Sequence, residues 1–219
     1  MKILLTKKLS QEILDLIKSW GWDYEIVEAL KITSVEVKEI PENAEAWIVS
    51  SRNSYDAIKK LITSAPQHIY CVGDWIKKEV GKLGVNVKVR SFENMKSLAA
   101  DLSERNLKNV VYFCGDEHRP ELEEGLMNTN TKISKVITHK SEMTFPVVKK
   151  SFDAVFVFSP RSAESLLKNN QFSNQTVFAC IGLTTSSYLR SCGIANTFVP
   201  SYPDSKILTE EFHHQFLNF

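Results

Sequence analysis

The sequence predicts an α/β protein made of two similar parallel-sheet domains joined by a two-stranded β linker. Two observations carry that expectation. Short apolar, β-branched runs alternate with helical patterns along the whole chain, as parallel βαβ units require. The second half also repeats the first. AWIVSSRNSYDAIKKL (residues 46–61) aligns with AVFVFSPRSAESLLKN (154–169), and YCVGDWIKKEVGKLGV (70–85) with ACIGLTTSSYLRSCGI (179–194). This places Ser51 over Ser159, Gly73 over Gly182 and Gly84 over Gly193, which reads as a tandem duplication.

Taken in order, KILLT near the start is a strand. Ser10 then caps a helix whose Ile13, Leu14 and Ile17 share one face, ending at Gly21. Runs suited to a sheet covered on both faces follow at 46–50, 68–72, 85–89 and 109–114. Helical patterns sit at 53–63, 74–83, 94–106 and 119–127. The second copy supplies strands at 153–158, 176–181 and 196–199, with helices at 161–169, 183–191 and 204–217. That copy is one strand–helix pair short, and the N-terminal pair makes up the deficit. Residues 1–21 plus 148–219 therefore form one discontinuous, flavodoxin-like domain and residues 41–128 the other. The chain crosses between them over 22–40 and 129–147, where ITSVEVKEI and TKISKVITHK suit a two-stranded hinge.

Composition narrows the function. The 219 residues carry a net charge of +1, with 43% hydrophobic and 24% charged side chains, so neither nucleic acid nor an anionic membrane surface is an expected partner. The opening MKILLTKKLSQEILDL has no signal-peptide core, and no apolar run is long enough to span a bilayer. The expectation is a cytoplasmic monomer. Cys71, Cys114, Cys180 and Cys192 show no CxxC spacing and the five histidines no HExxH spacing, so no metal is expected. Neither GxGxxG nor GxxxxGK[ST] occurs, which disfavours NAD and ATP, and no cofactor is expected.

Ligands of open parallel sheets bind beyond the carboxyl ends of the strands. Those positions hold Ser50, Ser51, Arg52, Gly73, Asp74 and Gly115 in one domain, and Thr6, Ser159, Arg161, Ser162, Gly182, Thr184 and Thr185 in the other. Glycines, hydroxyls and arginines of this kind donate hydrogen bonds to carboxylates or phosphates, although helix caps use the same residue types. Their convergence on one inter-domain cleft would favour a ligand rich in negative charge. Asp116, Glu117 and His118 in CGDEHRPELEE either transfer protons or complement a helix start.

FDAVFVFSPRSAESLL, VFACIGLTTSSYLRSCGI and PSYPDSKIL, spread over residues 152–208, resemble uroporphyrinogen-III synthases. That family carries a strand ending in Ser-Pro, an Ile-Gly-x-Thr-Thr turn, a later glycine and a final helix introduced by Pro and Ser or Thr. The resemblance implies a cofactor-free enzyme that takes a linear tetrapyrrole, hydroxymethylbilane, through loss of water to a macrocycle with its last ring inverted. It also implies Thr184 and Thr185, Ser159 and Ser162, and Ser51 with Arg52 as substrate contacts. A family tyrosine that assists departure of the hydroxyl aligns with His139, where an imidazolium would donate the proton or the side chain would be an exposed linker residue. The family's opening Thr-Arg-Pro is here Thr6-Lys7-Lys8, and a threonine after the first glycine is Ile76. The competing reading is a non-catalytic cytoplasmic two-domain module that binds a small anionic ligand.

Overall fold

In β1 (Lys2–Leu5), Ile3 and Leu5 join one core and Leu4 another, because successive strand side chains point to opposite faces. The computed structural model describes residues 1–216. After β1 come α1 (Gln11–Ser19), β2 (Asp23–Ile26), β3 (Leu30–Ser34) and β4 (Ala46–Val49). Helix α2 (Arg52–Ile58) tightens into a 3-10 stretch over Lys59–Ser64 and leads to β5 (His68–Val72) and α3 (Asp74–Gly81). Next are β6 (Lys88–Phe92), α4 (Met95–Ser103), β7 (Asn109–Gly115), α5 (Glu121–Leu126) and β8 (Lys132–Met143). The last elements are β9 (Ala154–Val157), α6 (Pro160–Leu167), β10 (Val177–Cys180), α7 (Leu183–Ser191), β11 (Thr197–Phe198) and α8 (Ser205–Gln215). Residue 217 of the final expected helix lies outside the described residues.

Contacts divide the chain into two compact units, Met1–Lys31 with Glu142–Phe219, and Ile32–Ser141. The first holds a sheet of order β11-β10-β9-β1-β2, parallel throughout. Helices α1 and α8 cover one face through Ile13, Leu14, Ile17, Leu208 and Phe212. Helices α6 and α7 cover the other through Ala163, Leu166 and Leu189. The second unit is built on a sheet of order β3-β8-β7-β4-β5-β6, parallel from β8 to β6. Leu98, Leu102, Leu122 and Leu126 of α4 and α5 pack on one face, and Tyr55, Ile58, Ile76 and Val80 of α2 and α3 on the other. Apart from β3, which has no counterpart, the two layouts correspond strand for strand but are permuted along the chain. The pair β1 and β2 precedes its sheet partners, whereas the corresponding pair β7 and β8 follows them.

Three stretches differ from the sequence expectation. Asp23–Ile26, inside the 22–40 segment, pairs in parallel with β1 as an edge strand. Its Asp-Tyr-Glu-Ile text is too polar to announce a strand, since an edge needs few apolar residues. Residues 132–139, inside the 129–147 segment, pair in parallel with β7, so β8 extends the six-stranded sheet as well as neighbouring β3. Val35 N–H donates to Thr138 O and Thr144 N–H to Ala29 O, so the chain runs in opposite directions through β3 and β8. The strand expected at 85–89 starts instead at Lys88, after a turn in which Val87 N–H donates to Val85 O. Val85, Val87 and Val89 still pack on the core, so their alternation reflected burial rather than pairing.

Close packing of α5 on α4 makes a stability prediction. A Cβ added at Gly125 would lie 2.6 Å from the Ala99 Cβ, whereas one at Gly81 meets nothing within 4 Å. Gly125→Ala is expected to destabilise the fold by about 1–3 kcal/mol through overpacking. Gly81→Ala is expected to stabilise it by about 0.4–1 kcal/mol by restricting the unfolded chain. Urea unfolding of the two variants measures both signs.

Candidate functional site

A parallel sheet covered on both faces offers a ligand only its strand ends, best where successive connections diverge. In the six-stranded sheet that point lies between β4 and β7, because β4 leads outward to β5 and β6 while β7 leads the other way to β8. A cavity of about 540 Å³ is lined there by Ser50 and Ser51 after β4, by Tyr112, Cys114 and Gly115 of β7, and by His139 of β8. The start of α4 adds Asn94, Met95 and Lys96, and the β7–α5 turn adds His118 and Arg119.

Hydrogen bonds fix this lining. The Tyr112 hydroxyl lies 3.2 Å from Ser50 Oγ. Burial pushes its phenol up to about 12, against the opposing effect of the Ser50 bond. Nδ1 of His118 is 3.2 Å from Gly115 O, and Nε2 is 2.9 Å from a Glu123 oxygen that Lys135 Nζ approaches to 3.2 Å. Burial alone would raise the Glu123 carboxyl, but its bonds from His118 and Lys135 outweigh that and hold it below the usual carboxylate range.

The pairing of β7 with β8 slips at this point. Cys114 faces Ile137 and Gly115 faces His139, so Thr138 is an extra residue in the strand, as in a β-bulge. The Thr138 side chain is fully buried. Its hydroxyl oxygen lies 3.1 Å from Ser54 Oγ, 3.0 Å from Cys114 O and 3.0 Å from His139 Nδ1. A Cβ at Gly115 would sit 2.7 Å from His139 Nε2, so glycine there is what admits the imidazole. Asp116 N–H donates to His139 O, and Asp116 Oδ1 accepts from the N–H groups of Ser141 and Glu117. Burial pushes the His139 imidazole below its ordinary value, with the Asp116 charge pulling partly back. That direction disfavours an imidazolium donor, one of the two readings of His139 that the sequence left open.

Elsewhere the structure sorts the expected residues. Arg52 lies over the Trp75 ring at 4.7 Å, and Tyr55 meets that ring edge-on at 5.6 Å. Gly73 has φ of +81° and a Cβ there would be 3.2 Å from Trp75, so it needs to be glycine on both counts. Gly182, its partner in the repeat, is extended at φ −175° with its nearest obstacle 3.9 Å away. Ser159 and Ser162 form a capping box at the start of α6, with Arg161 half-buried between them and Pro160 in the first turn. Ser51 caps α2 by accepting from Ser54 N–H.

Four expected contacts have local structural partners. Thr6 is 2% exposed and donates its hydroxyl to Phe156 O. Ser162 is 4% exposed and bonded to Ser159, and Thr185 is 2% exposed on the buried side of α7. The Asp74 carboxylate accepts from the Ser91 hydroxyl and would repel an anion. Thr184 faces solvent. The sequence reading missed Tyr112, Asn94, Met95, Lys96 and Thr138. A tyrosine one turn of alternation from a strand's carboxyl end was the available signal for the first, and nothing in the text marked the slipped register at Thr138.

The model of the family described as uroporphyrinogen-III synthase HemD matches residues 16–210. The chain belongs to the uroporphyrinogen-III synthase family. Its fold is similar to that of uroporphyrinogen-III synthetase from Helicobacter pylori, with a TM-score of 0.68 at 15% identity over 98% of this chain and 99% of that one. A mutant uroporphyrinogen III synthase from Thermus thermophilus gives a TM-score of 0.64 at 13% identity, covering 98% of this chain and 97% of its own. No curated protein sequence matches. At such identities the structural likeness is one of fold.

In this family member, no group of three or more His, Cys, Asp or Glu side chains among the described residues could hold a metal ion. No helix among them is long and apolar enough to cross a membrane. Burial pushes the Cys71 and Cys180 thiols up to about 12 and that of Cys114 to about 11, whereas Cys192 is exposed. Thiolates are the reactive form, so iodoacetamide at pH 8 is expected to label Cys192 first. Peptide mapping of the native protein after brief treatment checks that order, and early labelling of Cys114 would contradict its burial as described.

Proposed function

We propose that this protein is a cofactor-independent uroporphyrinogen-III synthase, a lyase that cyclises hydroxymethylbilane to uroporphyrinogen III with inversion of ring D and loss of water. The observation that carries this reading is the family match over residues 16–210. The substrate is a flexible chain that can close on itself, so the protein's task is largely to hold it in the ring-inverting geometry.

The strand ends support a division of labour. Thr184 presents a solvent-facing hydroxyl in the first turn of α7, at the helix N-terminus that follows Gly182. Arg52, pinned over Trp75, presents a cation beside the Gly73 turn. These groups, with Ser159 and Arg161 at the head of α6, are the contacts proposed for the substrate's carboxylates. The cavity near His139 has a different character. Val72, Met95 and Tyr112 supply apolar surface, and Glu93, Glu117 and Glu121 share the lining with Lys96 and Arg119. It suits a pyrrole ring with its N–H better than a carboxylate arm, with Ser50, Ser51 and Gly115 at its wall. The active species is proposed to be the monomer.

Supplying hydroxymethylbilane and separating the uroporphyrinogen isomers tests the reading directly. Isomer III is expected, and isomer I alone, the product formed without catalysis, would refute it. Thr184→Ala is expected to lower kcat/KM by about tenfold, the worth of one hydrogen bond to a charged group. Its melting temperature should stay at that of the parent, since the side chain is exposed.

A further inference from the structure

Proton counting around Thr138 assigns the state of His139. Thr138 Oγ1 has one proton and three neighbours, namely Cys114 O at 3.0 Å, Ser54 Oγ at 3.1 Å and His139 Nδ1 at 3.0 Å. The Thr138 hydroxyl donates toward Cys114 O, a carbonyl that can only accept, and toward Ser54 Oγ, which also accepts from the Ser51 hydroxyl at 2.9 Å. Its one proton is shared between these two acceptors and none is left for His139, so Nδ1 can bond Thr138 only by donating to an oxygen lone pair. This assignment makes every contact a hydrogen bond. It leaves the ring as the Nδ1–H tautomer, with a lone pair on Nε2.

That lone pair faces the open side. Nε2 has no hydrogen-bond partner among the described residues, and it borders the place where a side chain on Gly115 would have been. Both Gly115 and His139 line the cavity. Burial acts in the same sense, keeping the ring neutral.

We propose that His139 is the proton acceptor of ring closure, a role opposite to the donor implied by its alignment with a tyrosine; this rests on the synthase reading above. Inversion of ring D exchanges one carbon–carbon bond for another with no net change of atoms or electrons. The final closure forms a carbon–carbon bond at a pyrrole carbon and breaks that carbon's C–H bond, whose electron pair returns to the ring. The proton passes to Nε2, giving an imidazolium that returns it to solvent. The hydroxyl departs with the pair of its C–O bond and takes one proton from solvent, so the sum is one water and no oxidant or reductant is needed. The hydroxyl cluster of Ser51, Ser54 and Thr138 carries no proton in this step. It positions the ring.

His139→Asn separates acceptor from support. The asparagine amide nitrogen falls near the place of Nδ1 and can still donate to Thr138, but nothing replaces Nε2. The expected result is loss of kcat by about 10²–10⁴-fold, the usual worth of a positioned acid or base, with the melting temperature unchanged. A kcat within threefold of the parent would overturn the proposal while leaving the synthase reading intact. Nitrogen-15 NMR of the histidine-labelled full chain reads the geometry without any substrate. An Nδ1–H, Nε2-bare signal for His139 is expected, and an Nε2–H tautomer would overturn the proposal even if the variant failed to fold. Formation of isomer I alone by the unaltered protein would instead refute the synthase reading.

Discussion

Ile48 and Tyr112 pack beneath α4 and α5 while Trp47, Val49 and Phe113 pack beneath α2 and α3, so the central strands of the six-stranded sheet have no wet face. Ile3, Leu4 and Leu5 are divided in the same way in the other sheet. Polar chemistry is thereby confined to the strand ends, where the ladder stops and backbone groups turn outward. Nearly every feature of interest follows from that confinement. Ser50, Ser51, Gly73, Gly115, Ser159 and Gly182 are each the first or second residue after a buried strand, or its last.

Within that limit, a single slipped register makes the cavity what it is. Without the extra residue at Thr138, alternation would send His139 and its neighbours to the opposite faces of β8. With it, a threonine hydroxyl fills the space where three elements meet, and an imidazole reaches over a glycine that lacks a Cβ to obstruct it. Asp116 secures the slip from the other side by bonding Ser141 and Glu117. The carboxylate that looked like proton-transfer chemistry in CGDEH is thus occupied with backbone geometry.

Fold class was legible because burial on both faces writes long apolar runs, and because helices between them keep a period near 3.6. Both of those signals are local. The edge strand Asp23–Ile26 was hidden by its own polarity, and the shift of β6 by a turn after Gly84, since valines at 85 and 87 serve the core without pairing. The site was harder to read for a chemical reason. Hydroxyl residues that cap a helix and those that face a ligand are the same residues, and only orientation separates them. Thr184 and Thr185 illustrate this, being adjacent in sequence and about 100° apart on α7. Leu189, four residues beyond Thr185 and on its side of the helix, already pointed to which one is buried. Ser159 and Ser162, three apart with Pro160 between, were likewise legible as a capping box.

The permuted strand order also has a bearing on biosynthesis. Strand β1 lies between β2 and β9, and the Lys2 N–H is bonded to Asp153, 151 residues further along. At about 5–20 residues per second, the ribosome takes roughly 8–30 s to make the second of these partners. Strands β4 to β8, by contrast, emerge in one uninterrupted stretch and can close their sheet while Ile3, Leu4 and Leu5 still wait uncovered. The order of translation therefore favours the inserted unit folding first and leaves the N-terminal strand as the segment most in need of a chaperone.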